Sequence, residues 1–337
     1  MGRSSNTFLT RYNCSPWATQ PVHGVPTSPN DSLGESSLTA TLIMRLLQLE
    51  DDGEFSLVEH IGRSIPPYAI LSHTWGADHE EVTFKDLTEG LSKNKAGYRK
   101  LAFCGKQAAK DNLRWFWVDT CCIDKSSSAE LSEAINSMYR WYHQSAKCYV
   151  YLSDVSTSSF NDESFQKSRW FTRGWTLQEL LAPTSTEFFS IEGDRLGSKH
   201  SLIQGIAKVT GIPIQALQGS PLSQFSINER MSWATRRETK REEDMAYALL
   251  GIFDIHMPLL YGEGQEKALR RLQKEIKEAS MDQSLSLSPL QLAEKLQGVS
   301  KPSSNIPINA ERDFDLPRTL EMVEGAISDF ETYIARM

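Results

Sequence analysis

The sequence predicts an α/β fold, in which a largely parallel sheet with flanking helices is followed by a helical lobe. Short apolar runs rich in β-branched and aromatic residues alternate with longer amphipathic runs, the pattern of strands joined by crossover helices. Beyond Ser190 the strand pattern fades and helical periodicity takes over. With 337 residues, 39 % of them hydrophobic, the chain is long enough to bury a substantial core.

The predicted elements begin after a polar segment. Residues 1–42 are rich in Ser, Thr, Pro, Gly and Asn and have no sustained apolar period, so we expect a disordered tail. Met44 to Leu49, a turn at Asp51-Asp52-Gly53, and Phe55 to Val58 then predict an N-terminal β-hairpin. This hairpin opens an α/β core over residues 43–190.

Four strands and two helices are predicted within that core. The strands are Tyr68 to Ser72, Trp115 to Asp119, Lys147 to Leu152 and Thr186 to Phe189. One helix is predicted over Lys95 to Lys110, and the second follows from the apolar stripe Leu131, Ile135, Met138 and Tyr142. Ser127 and Glu130 stand before that stripe at the spacing of a capping box.

The second half of the chain reads as helical. Residues 191–280 form the predicted lobe, which includes the apolar stretch Met245 to Phe253 and the charged stretch Gln265 to Glu278. Residues 281–337 are predicted to be a linker followed by an amphipathic helix behind Pro317. The partner groove of that helix could lie on this body or on another subunit, and the pattern does not decide between them.

Composition narrows the function classes. The formal charge of −7, with both signs interspersed, gives no clustered basic face, so we expect no nucleic-acid partner. We expect no membrane span, since the sequence has no apolar run of about eighteen residues, and a cytoplasmic location, since its start lacks a secretory signal. The five cysteines are an odd count without zinc-ligand spacing, which predicts reduced thiols and no metal site.

Three polar clusters follow predicted strands. They are Ser72-His73-Thr74-Trp75-Gly76, Asp119-Thr120-Cys121-Cys122-Ile123-Asp124-Lys125, and the segment from Arg173 to Glu179. Ligands of open α/β sheets bind beyond the carboxyl ends of the strands, where such loops converge. If the sheet is parallel, we therefore expect the three clusters to meet at one site.

Glu179 is the most informative residue of these clusters. It lies four residues after Trp175, so on a helix the two side chains share a face, and a carboxylate beside an aromatic wall suits a sugar or a nicotinamide ring. The alternative is a surface carboxylate, or one paired with Arg173.

The other polar residues also have two interpretations each. His73 is either a general acid or base or a hydrogen-bond donor that holds its loop. Trp75 either stacks on a ligand or belongs to the core. Asp119 either positions a ligand hydroxyl or caps a turn. A nucleophilic pairing of Cys122 with His73, as in a cysteine hydrolase, is allowed but weakly indicated.

Several other chemistries have no support in the sequence. Neither the Gly-x-Ser-x-Gly elbow of serine hydrolases nor a P-loop is present. Gly262 to Lys267 could suggest a phosphate cradle, but its acidic side chains favour a turn at the start of a helix. The charge run Arg236 to Glu243 is interpreted as a solvated helix face.

The three clusters together resemble the signature blocks of the heterokaryon incompatibility (HET) domain of filamentous fungi. The blocks are Ala69 to Gly76, Trp117 to Lys125 and Arg173 to Leu180, and the similarity extends from Met44 to about Ile276. The resemblance implies a role as the toxic effector of programmed cell death after non-self recognition, with an incompatibility partner protein.

A more distant resemblance bears on mechanism. The helix from Leu131, the strand Cys148 to Ser153, and then Ser168, Trp170 and Glu179 are similar to Toll/interleukin-1 receptor (TIR) domains. This resemblance implies a flavodoxin-like/TIR-like fold, self-association into a homo-oligomer, and cleavage of NAD to nicotinamide and an ADP-ribose product. Glu179 falls on the glutamate of the NAD-cleaving members. NAD is then a substrate, and no cofactor is expected.

These resemblances give the candidate site its residues. Glu179 is the expected catalytic residue, and the substrate-binding residues are Ser72, His73, Thr74, Trp75, Asp119, Cys122, Asp124, Lys125, Arg173 and Trp175. Trp75 or Trp175 is expected to stack on the nicotinamide ring, and Arg173 or Lys125 to meet the pyrophosphate. The competing hypothesis is a non-enzymatic, self-associating signalling module that causes death through a partner.

Overall fold

A mixed β-sheet organises the protein. The structure is a computed structural model that describes residues 43–51, 53–62 and 64–286, with the side chains of the last five left out. The predicted N-terminal tail, the C-terminal helix and most of the linker lie outside these residues. The described strands are β1 (Ile43–Leu49), β2 (Phe55–Ile61), β3 (Tyr68–His73), β4 (Trp115–Trp117), β5 (Lys147–Tyr151), β6 (Thr186–Phe189) and β7 (Arg195–Ser198).

The strand order within the described residues is β2-β1-β4-β3-β5-β6-β7. The inner strands β4, β3, β5 and β6 are mutually parallel, whereas β1 is antiparallel to both of its neighbours and β7 is antiparallel to β6. The predicted α/β fold, the parallel centre and the N-terminal hairpin are confirmed. The prediction that β structure ends at Ser190 is wrong, because β7 adds a four-residue edge strand too short to show a period.

The parallel strands are arranged as in a flavodoxin-like, doubly wound sheet. Counted along the chain, the order of the four is second, first, third, fourth, so the connections reverse direction between β3 and β5. Ligands of such sheets bind at this switch point, outside the carboxyl ends of the strands. The topology alone therefore directs attention to the residues that follow β3 and β5.

Helices cover both faces of the sheet. The helices of the described residues are α1 (Phe84–Thr88), α2 (Tyr98–Lys110), α3 (Ser128–Gln144), α4 (Asp162–Gln166), α5 (Thr176–Leu181), α6 (Ile203–Thr210), α7 (Ile214–Leu217), α8 (Ile227–Ser232), α9 (Asp244–Tyr247), α10 (Leu250–Phe253) and α11 (Gln265–Ser286). Phe103 of α2 contacts the rings of Tyr149 and Tyr151 on one face, and Trp141 of α3 contacts Trp117 on the other.

Two predictions at helix ends need correction. The Ser127 hydroxyl accepts a hydrogen bond from the Glu130 amide at 3.3 Å, but the Glu130 carboxylate accepts from the Asp124 amide at 2.7 Å and pairs with Arg45. The reciprocal half of the predicted capping box is therefore absent. Helix α11 continues to Ser286, so the predicted start of the linker at residue 281 is also wrong.

The predicted helical lobe packs against the α/β core. Helix α10 lies against α3 so closely that a Cβ atom added at Gly251 would stand 2.0 Å from the Tyr139 Cβ. By its contacts, the body from Ile43 to Ser286 is one compact unit. The boundary between core and lobe at residues 190 and 191 stays a prediction. Between residues 43 and 286, no helix has the length and apolar character needed to span a bilayer.

Candidate active site

The polar residues after β3 meet side chains from two other loops. Thr74 contacts the Ser153 hydroxyl, beyond the end of β5, at 3.2 Å. Ser72 bonds Glu179 of α5, while His73 and Trp75 bond Asp119 beyond the end of β4. Since each strand ends at the same edge of the sheet, the expected convergence of the three clusters is what the geometry shows.

Glu179 is at the end of a directed chain of hydrogen bonds. The Trp170 indole N–H donates to Ser72 Oγ at 2.8 Å, and because that oxygen is the acceptor, its own proton is free to be donated. Ser72 Oγ donates to Glu179 Oε2 at 2.5 Å. The carboxyl is buried, with the residue 6 % exposed, and forms no ion pair among the described residues. Neither the surface position nor the pairing with Arg173 is observed.

The surroundings of Glu179 favour its neutral form. Burial raises the pKa of Glu179 to about 8, and the negative charge of Asp119 acts in the same direction. Hydrogen bonding from Ser72, the nearby Tyr142 hydroxyl and the charge of Arg237 oppose this rise in pKa. Glu179 can therefore exchange a proton near neutral pH, and a cationic ligand beside it would favour the carboxylate.

Asp119 has the opposite character. Burial acts to raise the pKa of Asp119, but the hydrogen bonds from His73 and Trp75 and the charge of Lys125 outweigh it, so the net pKa is lowered. His73 Nε2 donates to Asp119 Oδ1 at 3.1 Å, and the Trp75 indole N–H donates to Oδ2 at 2.9 Å. The site thus combines an ionised carboxylate with a carboxyl that titrates near neutrality, the division of roles that acid–base chemistry uses.

Trp75 forms the exposed rim of the site. Its side chain is 40 % exposed rather than part of the core, and the Lys125 ammonium lies 3.8 Å from the centre of its ring. Beneath it, the buried Lys100 ammonium donates to the Thr74 carbonyl at 3.0 Å and pairs with the buried Glu81. This buried ion pair fixes the loop that presents Trp75.

Other predicted site residues have partners elsewhere. Asp124 accepts hydrogen bonds from the amide and hydroxyl of Ser126, which makes it a turn-stabilising residue. The Cys122 thiol accepts from the Val118 amide at 3.3 Å, while His73 is engaged with Asp119. The Trp175 indole N–H donates to Asp244 of α9 at 3.2 Å, so this side chain links α5 to the lobe. For Arg173, which is half-buried, the structure shows bonding only of its backbone.

Comparison with known proteins identifies the family. Residues 68–164 match the family described as heterokaryon incompatibility protein (HET). These residues are a HET domain. The chain is 59 % identical over 241 residues to the vegetative incompatibility protein HET-E-1 of Podospora anserina, an alignment that covers 69 % of this chain and 18 % of that relative. The chain thus spans less than a fifth of the relative's length, and no solved structure matches it.

The matched HET range contains only part of the candidate site. His73, Trp75, Asp119 and Lys125 lie within residues 68–164, whereas Glu179 lies beyond them. The TIR resemblance gains nothing from these comparisons and stays a prediction. The site residues after the matched range are consequently supported by geometry alone.

Arg237 is a member of the site that sequence reasoning missed. The run Arg236 to Glu243 was predicted as a solvated helix face, but it is irregular, and Arg237 and Glu243 are buried. Arg237 Nη1 donates to the Arg173 carbonyl and to Thr176 Oγ1, both at 2.8 Å, at the start of the helix that carries Glu179. The only sequence signal was the apolar flank Trp233-Ala234 immediately before it.

A second buried cation holds the other end of that helix. Lys199 Nζ donates to the carbonyls of Leu180 at 3.1 Å and Pro183 at 2.7 Å, at the carboxyl end of α5. A positive charge there satisfies free carbonyls and complements the helix dipole. Arg237 and Lys199 together fix the helix from which Glu179 projects.

The glycine turn before α11 is a helix-start turn, as predicted. Gly262 and Gly264 both adopt positive φ, and their amides donate to Glu243 Oε1 at 2.7 and 3.0 Å. The amides that could have cradled a phosphate are therefore occupied by a carboxylate of the protein itself. Within the part of the chain that the structure describes, no group of three or more His, Cys, Asp or Glu side chains is placed to hold a metal ion.

Proposed function

We propose that this chain acts in heterokaryon incompatibility as a cell-death effector and that its α/β core hydrolyses NAD to nicotinamide and ADP-ribose. The first part rests on the HET domain and on the similarity to a vegetative incompatibility protein. The second part rests on one observation: a buried carboxyl with a pKa of about 8 lies at the switch point of a doubly wound sheet and is bonded to Ser72.

The proposed reaction is cleavage of the N-glycosidic bond between C1′ of the ribose and the nicotinamide nitrogen. The bonding electron pair leaves with the ring, which departs as neutral nicotinamide, so no general acid is needed. The ribose is left with oxocarbenium character, and water adds to C1′ with release of a proton. An anionic carboxylate beside C1′ stabilises that charge, as in glycoside hydrolysis.

The properties of Glu179 suit this role. The nicotinamide ring of NAD is a cation, so its arrival beside Glu179 favours the ionised carboxyl even though burial opposes ionisation. Once nicotinamide leaves, the positive charge is on the ribose, where the carboxylate attracts it more closely. The site is then more complementary to the transition state than to the substrate.

Other residues supply binding in this proposal. Trp75 offers an exposed indole face to a ring, and Lys125, close to that face, is available for the pyrophosphate. Because Glu179 is only 6 % exposed, a dinucleotide requires movement of the Trp75 loop or of the segment beside Arg237. We propose that self-association of the chain promotes this opening.

The test is nicotinamide release from NAD by the purified protein at high protein concentration. Glu179→Gln keeps the shape and removes the charge, so it should abolish release, whereas the matched control Glu163→Gln, on an exposed ion pair with Lys167, should retain it. NAD that stays intact with the wild-type protein, while the same protein kills cells, would rule out the enzyme.

A non-enzymatic, self-associating module remains the second candidate. The observation that favours it is edge strand β2, which is paired on one side by β1 and exposes Val58 and Ile61. Under this function, Glu179→Gln leaves killing unchanged and lysine substitutions at Val58 and Ile61 abolish it. The enzyme hypothesis makes the opposite prediction for Glu179.

A further inference from the structure

A segment of the helical lobe lies directly beside the start of the helix that carries Glu179. We call residues Arg236 to Glu243 the lobe strap. The Glu238 amide donates to the Thr172 carbonyl at 2.6 Å, and the Gly174 amide donates to the Glu238 carbonyl at 2.9 Å. A Cβ atom at Gly174 would stand 2.4 Å from Thr239 Cγ2, so glycine permits this close approach. The strap and the residues before α5 form one backbone-bonded unit.

Arg237 projects from the strap into the protein, where it is 5 % exposed. Its Nη1 atom bonds Thr176 Oγ1 and the Arg173 carbonyl, but the guanidinium forms no ion pair within the described residues. The Nη2 atom, also buried, has no hydrogen-bond partner there. A charged group is costly to bury without a counter-charge, so its position calls for an explanation beyond packing.

The helix dipole does not provide that explanation. A cation at the amino end of a helix is electrostatically unfavourable, since that end is already positive. The compensating negative charge is that of Glu179: each group shifts the pKa of the other toward its charged form. Burial lowers the pKa of Arg237 to about 10, which leaves it charged throughout the neutral range.

We propose that Arg237 is a positioning residue for Glu179: from the lobe strap it fixes the first turn of α5 and supplies the positive charge that helps the Glu179 carboxyl to ionise. The importance of this ionisation for NAD cleavage rests on the proposed function. The effect on the carboxyl itself does not.

The other groups around Glu179 do not replace this charge. Asp119 beyond β4 opposes ionisation of Glu179. Tyr142 of α3 and Cys148 of β5 interact electrostatically with Glu179, but burial raises the pKa of each well above its usual value, so both are neutral. Ser72 of β3 contributes a hydrogen bond and no charge. Arg237 is the cation that acts on Glu179 among these groups.

The experiment measures the ionisation of Glu179 in wild-type protein, Arg237→Gln and Arg237→Lys. The matched control is Arg236→Gln, the same charge change at the exposed neighbouring arginine. One readout is the pH dependence of NAD cleavage. The other is the infrared band of the protonated carboxyl, assigned to Glu179 by its loss in Glu179→Gln, which requires no catalysis.

Removal of the charge should move the Glu179 midpoint to higher pH by about one unit or more, because a nearby opposite charge favours the charged form. At a pH below both midpoints, the cleavage rate should then fall about tenfold or more, since the ionised fraction falls tenfold per unit. Arg237→Lys should restore most of the loss, and Arg236→Gln should leave the midpoint unchanged. An unchanged midpoint in Arg237→Gln overturns the proposal.

Two further arms keep the test decisive. If wild-type protein does not cleave NAD, the proposed function fails, and the infrared midpoints alone decide the role of Arg237. If Arg237→Gln does not fold, Arg237 is replaced by citrulline, an uncharged isostere that retains hydrogen-bond donors toward Thr176 and Arg173. A raised midpoint with citrulline supports the proposal, and an unchanged one overturns it.

Discussion

The Ser72 hydroxyl donates a hydrogen bond to the Glu179 carboxyl across 107 residues of sequence. It joins the last residues of β3 to helix α5, which follows β5, and the same hydroxyl accepts from Trp170 at 2.8 Å. Only a sheet in which β3 and β5 are parallel neighbours can bring these residues together. The bond is therefore both a consequence of the fold and the centre of the candidate site.

Ser72→Ala should slow NAD cleavage about tenfold or more, because a hydrogen bond to a charged group contributes about 1.5–3 kcal/mol. Since the bond lowers the pKa of Glu179, its loss should also move the acid limb of the pH profile upward. The measurement is the rate of nicotinamide release against pH. Ser145→Ala, which removes a buried hydroxyl bonded to the Tyr142 carbonyl at 2.8 Å, is the control and should leave the profile in place.

Asp119→Asn should shift the Glu179 midpoint in the opposite direction to Arg237→Gln. The negative charge of Asp119 raises the pKa of Glu179, so an uncharged asparagine should lower the midpoint while weakening the bond from His73. The pH dependence of cleavage, or of the Glu179 infrared band, measures this shift. An upward shift would show that Asp119 does not act on Glu179 through its charge.

The sequence predicted those features that depend on local pattern and topology. Apolar runs marked Tyr68 to Ser72 and Lys147 to Leu152 as strands, and parallel pairing then placed Ser72 and Asp119 at one edge. The burial of Arg237 could not be predicted, because it depends on a lobe segment that packs beside residues 172–174. A charged run without periodicity resembles a solvated surface until its tertiary neighbours are known.

The same limit applies to partners within the clusters. The sequence placed Asp119 and Asp124 in one polar segment, but only the folded chain shows that Asp119 bonds His73 whereas Asp124 bonds Ser126. Likewise, Trp175 and Glu179 were expected to line one wall, yet Trp175 bonds Asp244 and Glu179 bonds Ser72. Spacing identifies the helix face, and packing decides what each side chain meets.

Lys100→Met should destabilise the protein by about 3–5 kcal/mol, because it leaves Glu81 buried without its counter-charge. The additional change Glu81→Gln should recover part of this loss, since the uncompensated charge is then removed. Unfolding in urea measures both effects. Lys167→Met, at an ion pair that is mostly exposed, should change stability by less than about 1 kcal/mol.

Cys122→Ser distinguishes the proposed hydrolase from a cysteine enzyme. The Cys122 thiol is buried and accepts from the Val118 amide, and His73 bonds Asp119, so no thiolate–imidazole pair is formed. NAD cleavage by this variant should remain within about threefold of the wild type, since neither the carboxyl nor its partners change. Loss of activity in Cys122→Ser but not in Glu179→Gln would transfer the chemistry to the thiol.

The pH dependence of folding provides a test of Glu179 that needs no substrate. Its pKa is about 8 in the folded protein against an ordinary value of 4.5, so between these pH values the folded state binds more protons than the unfolded state. The contribution of Glu179 to stability is thus fully present below about pH 4.5 and is lost as pH rises through about 8.

Glu179→Gln cannot titrate at this position, so its free energy of unfolding should decline less with rising pH than that of the wild type. At about 1.4 kcal/mol per pH unit, the difference between the two proteins should change by up to about 5 kcal/mol between pH 4.5 and 8. Urea unfolding at several pH values in this range gives both curves. Asp119 does not confuse the result, because its pKa is lowered and it stays ionised throughout. Parallel curves would mean that Glu179 is already ionised at neutral pH, so that neither its burial nor the charge of Asp119 governs its protonation.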